Sequence, residues 1–183
     1  MTLNYTITKE DYVSYYTYMY WDEPLRKRKR INNILKQASI FFLVIAILFF
    51  TNVHGVLNLF SLPIFLLIIG STLLPLFTGK IQLAKQAADI ADNPDNDSIF
   101  KKITLTILED VLIVKSEMIE SKFNWKGFTK KTEIDKYYYL FQNTMQAIII
   151  PKRAFTNNEE KLAFDKILSR NLSLDAEIKD AIK

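Results

Sequence analysis

Residues 37–79, bounded by Lys36 and Lys80, contain no Asp, Glu, Lys or Arg. A helix needs about 20 apolar residues to cross a bilayer, so the window holds two spans and a turn. The expected spans are about 34–52, containing IFFLVIAILFF, and about 56–78, containing LPIFLLIIGSTLLPLF. Between them TNVHGVLN carries turn formers and the single histidine, His54. Pro63 and Pro75 would break a soluble helix but are tolerated in spanning ones. Arg26, Lys27, Arg28, Lys29 and Arg30 precede the first span, Lys80 and Lys85 follow the second, and the turn has no cation. The positive-inside rule then places both termini in the cytoplasm and the His54 turn outside. These expectations describe a two-span protein of a bacterial inner membrane, with the bilayer as one partner and Arg26–Arg30 as its membrane-facing basic run.

The composition excludes several chemistries. The chain has no Cys and therefore no disulfide, thiolate metal site or thiol nucleophile. One His cannot build a multi-histidine metal centre. The glycines Gly55, Gly70, Gly79 and Gly127 are too scattered for a nucleotide-binding loop. No cofactor is expected. Asp92, Asp95 and Asp97 lie in one loop that lacks the glycine and final Glu of a calcium-binding hand, so that loop reads as a solvated turn. Arg26–Arg30 and Lys36 together exceed the formal net charge of +4, leaving the remainder net acidic. The basic pI of 9.1 therefore does not indicate a nucleic-acid partner.

Outside the apolar window the pattern changes twice. Leu3 to Ile7 reads as a strand, and Thr8 with Asp11 three residues later signals a helix start. Tyr12, Tyr15, Tyr16 and Met19 share a helical face, which suits packing on a folded domain or an aromatic belt. KIQLAKQAADIA continues the second apolar helix and should stop before Pro94. From Ile103 alternation takes over: strands are expected near 103–107, 111–115, 117–125, 131–134, 137–141 and 145–150. Connections this short leave no room for crossover helices, so the sheet should be antiparallel. Thr156 and Glu159 form a capping pattern for a helix to about Arg170, with Phe164, Ile167 and Leu168 on one face. The expected divisions are 1–30, 31–79, 80–98, 99–170 and a polar tail 171–183, and the class is α+β.

Read in order, YTITKEDY, the RKRKR run, Trp125, YYYLF, IIIPKRAF and NNEE resemble the YcxB-like family, most specifically between Trp125 and Leu168. The resemblance implies an antiparallel pleckstrin-homology-like barrel closed by a C-terminal helix, which the N-terminal strand and helix join across the transmembrane hairpin. It implies no activity and no catalytic residue.

The residues themselves show no enzyme signature. Lys152 and Arg153, between a strand and a helix N-terminus, are candidate contacts for an anionic headgroup or a partner. Tyr137, Tyr138 and Tyr139 alternate faces, so one should be exposed, and Tyr139 is a candidate protein contact. The leading expectation is a non-enzymatic integral membrane protein whose cytoplasmic domain binds a protein or lipid headgroups. An immunity protein against a membrane-acting toxin is a rival. A membrane-bound lipid-modifying enzyme using Asp22, Glu23 or Asp89 is a weaker one. The protein partner has no identity from sequence, and homo-oligomerisation is compatible with all three.

Overall fold

A computed structural model describes residues 1–50 and 61–172. The chain divides into two units, Met1–Tyr15 with Ala88–Lys183, and Tyr16–Ala87.

The first unit is built from both flanks of the second. Strand β1 (Thr2–Thr6) pairs antiparallel with β2 (Lys102–Ile107), setting Leu3 opposite Leu105 and Tyr5 opposite Ile103. Strands β3 (Val111–Lys115) and β4 (Glu120–Asn124) complete a four-stranded meander, β1-β2-β3-β4. A second antiparallel sheet contains β5 (Lys130–Glu133), β6 (Tyr137–Phe141) and β7 (Ala147–Pro151) in that order. The α+β class and the antiparallel pairing expected from alternation are both present. The described strands form two open sheets, with no closed barrel.

Alternation explains the core. Leu3, Tyr5 and Ile7 turn inward while Thr2, Asn4 and Thr6 face out, as a period of two requires. Leu105, Leu112, Tyr138, Leu140 and Ile150 join them from the other strands. Helix α4 (Asn158–Asn171) lays Phe164 and Leu168 into this cluster. Its N-cap is Asn157, whose Oδ1 accepts from Glu160 N at 2.8 Å, while Glu160 accepts from Thr156 N at 2.7 Å. The cap therefore lies one residue later than the Thr156–Glu159 spacing predicts, because Asn157 is the residue in extended backbone. Leu172 is buried in the core, so the apolar packing runs past the expected tail boundary at 171.

Trp125 is a core residue but not a strand residue. It begins a 3-10 turn after β4, packs on Phe128 at 5.9 Å between ring centres, and donates its indole N–H to Leu108 O at 3.2 Å. The turn between β6 and β7 falls where expected. Asn143 Oδ1 accepts from Met145 N and Gln146 N, at 2.8 and 2.9 Å.

Strand β6 corrects one expectation. All five of its residues are buried, including Tyr137, Tyr138 and Tyr139. Helix α1 (Lys9–Thr17) covers the outer face of β6: Tyr15 meets Tyr139 edge-on at 5.4 Å and donates its hydroxyl to Met145 O at 3.0 Å. A strand with α4 on one face and α1 on the other has no solvent side.

The second unit contains the rest of α1, a π-helical turn (Tyr18–Asp22), helix α2 (Pro24–Phe50) and most of helix α3 (Ser61–Asp92). The spanning hairpin is corrected: among the described residues no helix is long and apolar enough to cross a membrane. The first half of α2 is taken up by Arg26–Arg30, Asn32, Asn33, Lys36 and Gln37, so its apolar part is only a portion of the helix. The later half of α3 carries Lys80, Lys85, Asp89 and Asp92. The inner-membrane location, and the three functional expectations resting on it, are withdrawn with the spans. The His54 turn lies outside the described residues. Phe42, Leu74, Phe77 and Ile81 are exposed large apolar side chains of this unit.

Phe164 is completely buried between Tyr138 and Phe155, with ring centres 5.3 Å from each. Phe164→Ala should cost the first unit about 3–5 kcal/mol, read from urea unfolding followed by Trp125 fluorescence. Leu162→Ala, on the exposed side of α4, should change it by about 0.5 kcal/mol or less.

Candidate functional site

Thr8 and Asp11 start α1 as the sequence predicts. Asp11 N donates to Thr8 Oγ1 at 3.2 Å, and Thr8 N donates to Asp11 Oδ2 at 2.7 Å. The carboxylate has a second task. Arg153 donates from Nη1 to Asp11 Oδ1 at 2.7 Å and from Nη2 to Oδ2, and Tyr137 Oη donates to Oδ1 at 2.9 Å. Arg153 Nη2 also reaches Thr6 O at 3.1 Å. Asp11 is 1% exposed. Burial opposes its ionisation, but the bonds from Arg153, Thr8 and Tyr137 outweigh burial and hold its pKa below the ordinary carboxylate value. Burial, then the bond to Asp11, raises the Tyr137 phenol.

Lys152 is engaged as well. Its ammonium donates to Glu133 Oε1 at 2.6 Å and stands 5.2 Å from the Tyr138 ring centre. That hydrogen bond from Lys152 lowers the Glu133 pKa against a smaller burial effect. Tyr138 in turn donates to Asp165 Oδ1 at 2.7 Å. Lys152 and Arg153, expected as surface contacts, are thus tied into the fold by Glu133 and Asp11. Tyr139, expected as a contact, is fully buried. Asp92 of the candidate acidic loop pairs with Lys9.

The second unit brings three members of the basic run together. Arg26, Lys29 and Arg30 share one face of α2 with Asn33, Ile34 and Gln37, the i, i+3, i+4 spacing of helical neighbours. With Tyr20, Trp21 and the Pro75, Leu76, Gly79 and Leu83 face of α3, they line an open cleft of about 540 Å³. Lys27 and Arg28 point elsewhere and are exposed. Among the described residues no Asp or Glu lines the cleft.

Aromatic rings set the geometry of the cations. The Arg30 guanidinium lies 3.7 Å above the Trp21 ring centre, and Nη1 donates to Trp21 O at 3.1 Å. Arg26 lies 4.7 Å above the Tyr20 ring centre. The edge of the Trp21 six-membered ring abuts Gly79: a Cβ there would stand 2.6 Å from Cη2 and closer still to Cζ3. Only glycine leaves room for that edge of the indole against α3. Asp22, beside Trp21, is paired with Lys80 at 2.8 Å.

Trp21 and Gly79 were not legible as site residues. Gly79 looks like any small residue in an apolar helix, and Trp21 like the end of an aromatic stripe. Their contact is made between helices. That Arg26, Lys29 and Arg30 share a face follows from helical period only once α2 is known to begin at Pro24.

The antiparallel sheets and helix of the first unit contain the segment that a family model matches. Residues 107–168, from the end of β2 through most of α4, match the family model described as YcxB-like protein. The match covers about a third of the chain. No curated protein and no solved structure matches.

Two outcomes follow. Arg153→Met should leave Asp11 buried with too few donors and cost the first unit about 2–3 kcal/mol at pH 7, the low end for a broken buried pair because half of the Arg153 side chain is exposed. The Asp11 pKa is lowered by folding, so this stability is present above the unfolded value near ~3.9 and is lost as pH falls through the lower folded value. The gap between wild type and Arg153→Met, read from urea titrations at stepped pH, should therefore close on acidification. Gly79→Ala should displace Trp21, seen as a shift of its indole N–H resonance with that of Trp125 unmoved.

Proposed function

We propose that the chain is a non-catalytic binding protein whose helical unit takes an anionic ligand in the cleft of Arg26, Lys29 and Arg30. The observation that carries this reading is the convergence of three cations on one acid-free cleft, with Arg30 fixed in orientation by Trp21. A guanidinium stacked on an indole keeps its remaining donors in plane, the arrangement suited to a phosphate or carboxylate. Lys29 adds a movable point charge beside it.

The non-catalytic part of the reading is supported by the state of the acids. Asp11 is held by Arg153, Glu133 by Lys152, and Asp165 accepts from Tyr138. General acid–base chemistry needs a carboxyl group that can reach a substrate proton. These three are committed to partners within the fold.

The first unit then acts as a scaffold. Its four-stranded and three-stranded antiparallel sheets with a C-terminal helix support a pleckstrin-homology-like reading, open rather than closed as a barrel. The YcxB-like match over 107–168 lies within this unit.

Titration of the full chain with inorganic phosphate, followed at the Trp21 indole N–H, tests the reading. Saturable binding that weakens with added salt is expected, with affinity falling about tenfold or more in Arg30→Gln, since hydrogen bonds to charged groups are worth about 1.5–3 kcal/mol. Equal binding by Arg30→Gln, or none by the wild type, would overturn it.

A further inference from the structure

The cleft is larger and more apolar than a simple anion needs. Beyond the cations, the same face of α2 continues one turn on to Ile34, and α3 contributes Pro75 and Leu76. At about 540 Å³ it falls within the range of sites that hold small organic ligands. A phosphate group alone would leave the wall formed by Ile34, Pro75 and Leu76 uncovered.

We infer that the occupant is an anionic amphiphile: a phosphate or carboxylate head on a single alkyl chain. The inference rests on the anion-binding reading and adds the chain. The head meets Arg26, Lys29 and Arg30. The chain runs along Ile34, Pro75 and Leu76.

Charge and shape both select this class. The acid-free lining repels no part of an anionic head. A zwitterionic head would carry its cation into a cluster of three others, which is unfavourable. One face of the Trp21 ring holds Arg30 by the attraction of a cation for a π system, which fixes the guanidinium that meets the head. Gly79 leaves room on α3 for the edge of that indole. The alkyl chain adds binding through removal of apolar surface from water. One buried methylene is worth about a fourfold gain in affinity. An open cleft that covers about half of an eight-carbon chain would give roughly a 100-fold gain.

The test compares three probes on the full chain: inorganic phosphate, octyl phosphate below its aggregation threshold, and octan-1-ol. Calorimetry gives the affinities, and the Trp21 indole resonance gives the site. Octyl phosphate should bind about 100-fold tighter than inorganic phosphate, with octan-1-ol weaker than octyl phosphate and insensitive to salt. Leu76→Asn should cut the octyl phosphate affinity and leave that of inorganic phosphate unchanged, which also shows that the cleft remains intact. Arg30→Gln should weaken both phosphates and spare octan-1-ol.

If octyl phosphate binds no tighter than inorganic phosphate, the chain has no place in the cleft: the amphiphile is overturned and the anion-binding reading stands. If neither phosphate moves the Trp21 resonance, the anion-binding reading falls and takes the amphiphile with it. If octan-1-ol matches octyl phosphate, the head is not recognised and the proposal fails on that ground.

Discussion

The carboxylate of Asp11 joins parts of the first unit that lie 142 residues apart in the chain. It caps the start of α1 through Thr8, accepts the Arg153 fork from the turn after β7, and accepts the Tyr137 hydroxyl from β6. Four donor groups around one buried acid make its charge tolerable where an unpaired carboxylate would be strongly unfavourable. The remaining packing depends on this junction. With α1 held against β6, Tyr15 covers Tyr139, and the strand pair β1–β2 can close the four-stranded sheet. Without it, the β1–β2 ladder and the Tyr15 hydroxyl bond would remain, but no ion pair would tie α1 to the turn after β7.

The second unit is organised by a different device. Trp21 meets Gly79 of α3 with its edge and Arg30 of α2 with a face, so one indole touches both helices and orients one cation. The energetic logic is preorganisation. Arg30 has already given up part of its rotational freedom to the ring, and a ligand need not supply that ordering again. Arg26 repeats the arrangement more loosely over Tyr20. A basic run that reads in sequence as an undifferentiated string of charges is thereby sorted into three cations around a cleft and two facing away from it.

The correction to the apolar segment shows what a composition argument leaves open. A charge-free window says that its side chains avoid bulk water. It does not say where helices begin and end. Helix α2 starts at Pro24, well before the window, and α3 runs to Asp92, well beyond it. Among the described residues no helix is long and apolar enough to span a membrane.

Local chemistry was legible in the sequence wherever neighbouring residues decide the outcome. Alternation from Ile103 onward located the six strands β2 to β7 to within a few residues, and Thr8 with Asp11 marked the start of α1, because strand period and helix caps are set by residues a few positions apart. Tertiary structure alone decided the rest. Whether Arg153 faces solvent or a carboxylate depends on Asp11, and whether Tyr139 is a surface or a core residue depends on Tyr15. Whether Gly79 matters depends on Trp21. Each of these pairs is separated by tens of residues or more. No local pattern encodes such a meeting, which exists only once burial and hydrogen bonding have brought the two side chains to one place.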